Sequence, residues 1–417
     1  MDLSYSAIEG RSRKYNTLLG VLAVLVLAGA VSFVISYLRG HQMFGGSNVV
    51  PWGLPIVFLI YLIGLSAGSL ILSSLTYVFG REEYKPIARM AVFMAIALIL
   101  GAMVFIFVDL GRPEKFWRLF MFFYLNNMTS MFAINGVLYG GYLTISVLYL
   151  GFIFAEQPRF TKRIGIIAVA WAVLVHMGTG AIFGFVAARE PWFSPVRPLE
   201  FLVAALTSGL ALLILVVILT LKFTGRDVKK EVITSLGGLL SVFIIVLLVL
   251  VFIDKLTHLY APDRDAAVYM LAGSGSWVFW GLQMGMGAII PLVILFHPRW
   301  KKTICGMALA TASVVIGVFF ERFYLVITGA AYPLYYYPGK IEGVWGVTGS
   351  FPITLAETIL SVGIVALLGL IFVLGLKYLD LLPVSETIEV SHSEGSDGGE
   401  GTEELVPVEA SAQAGEG

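Results

Sequence analysis

Ten apolar runs, each long enough to cross the roughly 30 Å hydrocarbon core of a bilayer, divide this chain, and no other feature limits its fold so sharply. They fall at 17–38, 52–79, 87–109, 128–154, 164–188, 199–223, 232–256, 273–296, 303–328 and 352–377, with charged or Pro/Gly-rich breaks between them. Inside lipid every backbone N–H and C=O must be satisfied by the protein itself, so an open sheet is excluded and runs of this kind read as helices. The expected fold is all-α: a polytopic membrane protein with ten transmembrane helices. Composition agrees, because 58% of the 417 residues are hydrophobic and 13% charged, against about a quarter charged in a soluble domain. The first run is not followed by a small-residue cleavage pattern and reads as a retained helix.

Orientation follows from Lys and Arg. Taken alternately, the N-terminus, the breaks after runs 2, 4, 6 and 8 and the C-terminal end carry 17 of them, the opposite breaks 10. The excess places both termini in the cytoplasm, in the cell membrane of the organism. The protein then divides into a cytoplasmic N-terminal segment 1–16, a transmembrane domain 17–380, and a tail 384–417 with nine acidic residues and no Lys or Arg. A tail of that composition cannot bury enough apolar surface to order itself, and is expected to be disordered. Pairs of glycines four apart, Gly64 and Gly68, Gly136 and Gly140, Gly180 and Gly184, Gly281 and Gly285, mark places for close helix packing. Zero net charge gives no basic excess for nucleic acid, and the single Cys305 excludes an internal disulfide, a cysteine-ligated iron–sulfur cluster and a thiolate zinc site.

A charge inside a span costs at least about 2–3 kcal/mol, so each one needs a reason. On the expected topology the inner halves hold little beyond Arg89, whereas the outer ends are crowded. Asp109 and Arg112 end the third run, Arg189 and Glu190 the fifth, and Asp254 and Lys255 the seventh; Glu200 opens the sixth, Glu321 and Arg322 lie near the end of the ninth, and Glu357 lies just inside the tenth. Asp109 and Arg112, three apart, have the spacing of a pair across one helical turn. Glu321 and Arg322 are adjacent, point in different directions from a helix and are not expected to satisfy one another. His176 is the deepest ionisable group, with Gly178, Gly180 and Gly184 leaving room beside it. Its imidazole suits proton exchange near neutral pH, or a plain hydrogen bond to a neighbouring carbonyl. Asn126, Asn127, Thr129 and Ser130 have the residue types of a helix N-cap, and Trp52 those of an interfacial anchor.

Three classes of function fit a protein of this kind. A haem-carrying cytochrome needs paired histidines on facing helices; of His41, His176, His258, His297 and His392 only His176 lies well within a span. A secondary transporter or ion-conducting protein shows broken helices and a polar midplane site; the eighth run, with Gly281, Gly285, Gly287 and Pro291, is a candidate for such a break, in apolar surroundings. A quinol pocket needs an apolar slot plus a carboxylate or imidazole to take protons as electrons leave. Asp109, Glu321 and His176 supply these groups, and a file of Ser66, Ser69, Ser73, Thr76 and Tyr77 offers a water path toward the other side.

The pieces "PWGLPIVFLIYLIGLSAGSLIL" from Pro51, "DLGRPEKFW" from Asp109, "NNMTSMFAING" from Asn126, "VHMGTGAIFGFVAAREPWFSP" from Val175 and "ERFYLVITG" from Glu321 carry a resemblance. The sequence resembles the NrfD-like, polysulfide-reductase membrane-subunit family, in the ten-helix branch of hydrogenase membrane subunits and of Hdr-like menaquinol oxidoreductase complexes. The resemblance implies a menaquinone or menaquinol site near the extracytoplasmic side, with no cofactor bound covalently or through a metal. It implies partners too: a ferredoxin-like iron–sulfur subunit docked over that site, a multihaem cytochrome c and other membrane subunits. By motif position it points to Trp52, Gly53, Asn127, Ser130, Arg189 and Arg322 as quinone-binding, and to His176, Asp109 and Arg112 at the chemistry. Glu321, Glu200 and Glu357 are added by the polarity argument above, with Arg112 expected to tune Asp109.

Overall fold

The computed structural model describes residues 4–118, 121, 129–226, 230–334 and 346–384. Ten helices among them are long and apolar enough to span a membrane: α1 (Arg13–Arg39), α2 (Leu54–Tyr77), α3 (Glu82–Asp109), α4 (Met131–Phe154), α5 (Pro158–Gly184), α6 (Arg197–Thr224), α7 (Lys230–Tyr260), α8 (Val278–Phe296), α9 (Ile304–Ala331) and α10 (Leu355–Tyr378). The expected count and order hold, and the protein is a multi-pass membrane protein. Boundaries differ where charged residues prolong a helix beyond its apolar run: α5 begins at Pro158, six residues before the apolar stretch, because Arg159, Lys162 and Arg163 extend the helix without entering its oily part. The expected acidic tail lies outside the described residues from 385 onward.

Local chemistry sets the helix ends. Pro55, Pro86, Pro158 and Pro198 stand in the first turns of α2, α3, α5 and α6, where a missing N–H costs nothing. Ser12, Thr303 and Thr354 cap α1, α9 and α10 by accepting the N–H of Tyr15, Gly306 and Glu357. Gly225, at φ +69°, ends α6 in the left-handed region that glycine enters freely.

α2 is the central helix, packed by α3, α5, α6 and α9. Most of its apolar window is buried, 82%, whereas only 11% of that of α1 is, so α1 is a peripheral helix held mainly by α10. Backbones meet where glycine faces glycine on another helix: Gly68 against Gly209 between α2 and α6, Gly29 against Gly363 between α1 and α10, and Gly287 against Gly317 between α8 and α9. Of the glycines picked by spacing, Gly68 makes such an approach, Gly180 and Gly184 lie close to Pro198 and Ser194 instead, and Gly140 and Gly281 face open space. Spacing within one helix cannot reveal the partner helix, and it misses Gly29, Gly209, Gly317 and Gly363. α8 is not broken as a transporter helix would be; residues Val278–Ile289 instead form a continuous i→i+5 stretch that passes into α-helix before Pro291.

Before α1, Tyr5–Ser6 pair antiparallel with Leu382–Pro383 beyond α10. Arg226 clamps this ribbon, donating to Pro383 O at 2.7 Å and to Ser6 Oγ at 2.8 Å. The two ends of the described residues therefore meet at one end of the bundle. By alternation of the spans, the starts of even helices and the ends of odd helices lie at the opposite end, where the singled-out polar residues gather.

Candidate functional site

The approach to α2 is built from long-range ties. α2 has no side-chain cap of its own; Glu357 of α10 reaches across to accept the N–H of Leu54. A Cβ on Gly53 would run into the Phe351 ring and that same carboxylate, which is why glycine stands there. Arg189 donates to Ala330 O at 2.7 Å and to Val49 O at 3.0 Å, tying the end of α9 to the loop that carries Trp52. The Trp52 ring stacks on Trp192, centroids 5.3 Å apart, and meets Phe132 and Phe183 edge-on at 5.6 and 5.8 Å. The indole that reads as an interfacial anchor is fixed in an aromatic cluster.

α3 stops at Asp109 because Gly111, at φ +66°, turns the backbone out of the helix and Pro113 begins a separate single turn. The turn takes Arg112 off the helix, so the expected one-turn pair does not form. Arg112 is exposed, and the basic group facing the Asp109 carboxylate is His41, Nε2 to Oδ1 at 3.8 Å. The partner lies 68 positions back along the sequence, beyond the reach of helical spacing.

Beside Asp109 lies a cavity of about 220 Å³ among α2, α3, α4 and α5. Its walls are Trp52, Ile56, Ile60, Phe132 and Phe183 with other apolar groups, and its polar members besides Trp52 are Asp109, Asn135 and Tyr139. Asn135 spends both amide hydrogens on Met131 O and Gly178 O, at 2.8 and 2.9 Å; its carbonyl oxygen lies 3.5 Å from Thr179 Oγ1, a long contact that leaves it lone-pair capacity as an acceptor. Thr179 spends its hydroxyl hydrogen on Val175 O at 2.7 Å, so the Tyr139 hydroxyl, 3.0 Å from Thr179, donates to it and keeps its own lone pairs. The carboxylate, the amide oxygen and the phenol oxygen therefore all offer acceptors. Neither Asn135 nor Tyr139 stands out by sequence: each is a single polar residue in an apolar helix, and only the file Asn135, Tyr139, Tyr142, Ser146, Tyr149 on one face of α4 marks them.

His176 is buried behind this cavity rather than in its lining. Its Nδ1 lies 2.8 Å from Ala172 O on its own helix and its Nε2 3.1 Å from Ile63 O of α2, so the ring bridges α5 to α2 through two backbone carbonyls. Ser130 occupies the N-cap position of α4 without a side-chain capping bond, and Asn126 and Asn127 lie outside the described residues. The α2 hydroxyls are largely committed: Ser66, Ser69 and Ser73 donate to Ala95 O, Leu65 O and Leu70 O.

The remaining charged residues form a second group, among α6, α7 and α9. Arg197 donates to Glu200 at 2.5 Å and to Asp254 at 3.1 Å; Lys255 donates to Asp254 at 3.0 Å; His258 lies 3.6 Å from Asp254 and 2.6 Å from Asp263. Arg322 donates to Glu321 at 3.2 Å and lies 3.9 Å over the Phe201 ring. Adjacent residues are not expected to satisfy one another, yet the long guanidinium folds back to its neighbour because burial offers it no water. Glu321, Arg322 and Glu200 thus stand apart from the cavity that Asp109 and Trp52 line.

Known proteins share this sequence over most of its length. The family model described as polysulphide reductase, NrfD, matches residues 42–333. The Hdr-like menaquinol oxidoreductase integral membrane subunit of Archaeoglobus fulgidus is 36% identical over 93% of this protein and 100% of its own length. A selenate reductase subunit of Mesobacillus selenatarsenatis is 31% identical over 89% of this protein and 96% of its own length. A polysulfide reductase chain of Wolinella succinogenes is 25% identical over 70% and 99%. Ten apolar helices in the expected order, a family match over most of their length and relatives aligned nearly end to end agree: the protein belongs to the NrfD family of polysulphide-reductase-type integral membrane proteins.

Proposed function

We propose that this protein is the quinol-binding membrane subunit of a multisubunit respiratory oxidoreductase, and that menaquinol occupies the cavity among α2–α5. The observation that carries the reading is the acceptor character of that cavity. A quinol presents two O–H donors on a flat apolar ring, and Asp109, Asn135 and Tyr139 offer acceptors within aromatic and aliphatic walls. The names of the relatives support it, since a menaquinol oxidoreductase, a selenate reductase and a polysulfide reductase have different terminal substrates and share a membrane subunit of this kind.

In this reading Asp109 takes the proton of a quinol hydroxyl as general base, Asn135 or Tyr139 holds the other hydroxyl, and Trp52 walls the ring. His176 and Arg189 act at one remove. The first sets the α5–α2 spacing behind the cavity; the second, with Gly53 and Glu357, holds the loop that presents Trp52. Electrons pass to a redox partner bearing iron–sulfur clusters, docked over the exposed turn of Arg112 at the extracytoplasmic end, the side assigned by the Lys and Arg asymmetry. Arg322 and Glu321 belong to the framework of α6–α9.

The test is binding of a short-chain menaquinol analogue to the purified protein, followed by quenching of tryptophan fluorescence. Saturable binding is expected, weaker by about tenfold, or 1.4 kcal/mol, when Ala133→Leu fills part of the cavity. Absence of saturable binding, or equal binding by the filled variant, removes the cavity from consideration.

A further inference from the structure

The Asp109 carboxylate has two sides. One lines the cavity; the other faces His41, whose side chain is 43% exposed while that of Asp109 is 19% exposed. His41 opens a single turn, His41–Met43, in the connection between α1 and α2, and its ring rests edge-on against Phe44 at 4.8 Å. The glycine turn that ends α3 wraps the far side of the ring, for a Cβ on Gly111 would stand 3.8 Å from His41 Nδ1. A small adjoining recess, lined by Ser36, Tyr37, His41 and Pro113 among others, receives the Ser36 hydroxyl, which is buried and has no hydrogen-bond partner among the described residues. An imidazole thus joins the wall of the cavity to the solvent, beside an unsatisfied hydroxyl suited to holding water.

We infer that His41 is the exit group for quinol protons, receiving each from Asp109 and releasing it to water at this end of the bundle. The inference rests on the quinol reading above. In each half of the reaction one quinol O–H bond breaks, its proton goes to Asp109 and one electron leaves to the docked one-electron redox subunit. Asp109 then passes the proton to His41 Nε2, and the imidazolium releases it to solvent. Two such halves turn one quinol into one quinone, two protons and two electrons. At 3.8 Å the pair is one small approach, or one bridging water, from a hydrogen bond.

The surroundings of His41 suit a group that cycles. Asp109 faces it from α3 and Tyr37 from α1, the latter donating to Glu114 at 3.4 Å; Arg39, two residues before it, and Arg112, next to Gly111, are both exposed. Among the described residues Asp109 is the one carboxylate within 4.0 Å of the ring. Burial lowers the imidazole pKa from its ordinary value, so at neutral pH the ring is free to accept a proton. Protonation at acid pH fills it and closes the route, so turnover should fall as pH drops through that lowered pKa.

The experiment uses the assembled complex with His41→Gln and His41→Ala, read as quinol-dependent turnover against pH. The expected result is a fall in kcat of about 100-fold with KM for quinol unchanged, the acid limb of the profile lost, and partial recovery of His41→Ala by added imidazole. Wild-type turnover in either variant, or a loss that imidazole does not relieve, overturns the relay. Two controls separate this from failure of the quinol reading itself. If the analogue binds and Asp109→Asn is inactive while the His41 variants are indifferent, the relay alone is wrong; if the analogue does not bind, the site is wrong.

Discussion

Two polar regions share one end of this bundle and differ in nearly everything else. Among α2–α5 a few polar side chains stand around about 220 Å³ of space with acceptor capacity to spare. Among α6–α9, Arg197, Glu200, Asp254, Lys255, His258, Glu321 and Arg322 crowd together, and the recess that Arg197, Glu200, Lys255 and Glu321 line measures about 20 Å³. Charge density is therefore a poor guide to a binding site in a membrane protein. Buried charges held mostly by one another leave little space between them for a ligand, whereas a site needs room as well as acceptors. The regions touch through aromatic rings, Trp52 on Trp192 and Phe183, Phe183 on Phe201, and Arg322 over Phe201.

Variants in each region test the contrast. The largest effect is expected from Asp254→Ala, which leaves the buried Arg197 to Glu200 alone and removes the partner of the half-buried Lys255. A loss of about 3–5 kcal/mol should appear as a sharply lowered Tm of the solubilised protein. Among the described residues Glu200 Oε1 and Arg197 Nε already have no hydrogen-bond partner, so little is left to absorb the change. Asp109→Asn should do the reverse: quinol-dependent turnover of the complex falls about 100-fold or more, with stability within about 1 kcal/mol of the parent. If Asp254→Ala abolishes turnover in a protein that remains folded and binds the analogue, the contrast is broken and the ionic region takes part in the chemistry.

Smaller effects sharpen the picture. Glu357→Gln keeps an oxygen for the Leu54 N–H but loses its charge at the start of α2, and should cost about 1 kcal/mol, seen in thermal unfolding. Arg112→Gln, on the exposed turn, should leave analogue binding unchanged and weaken only the association of the docked subunit, measured by co-purification at rising salt. Unchanged association would move the docking surface away from this turn.

The ten spans are legible in the sequence because transfer of a side chain into lipid is a local quantity that sums along a segment, and no partner need be known to evaluate it. The same holds for the helix starts, where Pro55, Pro86, Pro158 and Pro198 act within one turn. The motif from Asp109 to Pro113 is recognisable as a piece, and Gly111 explains its form, yet its spacing misleads about pairing because the turn that glycine makes carries Arg112 away. Meeting of side chains was a matter for the tertiary structure alone: His41 with Asp109, Asn135 with Gly178, Glu357 with Leu54, and the segregation of Glu321 and Arg322 from the cavity. Hydrophobicity tells a helix to enter the membrane but is nearly silent on which neighbour it meets there. Close packing of glycine against glycine on other helices made that choice, and with it decided which polar groups face the open cavity and which face each other.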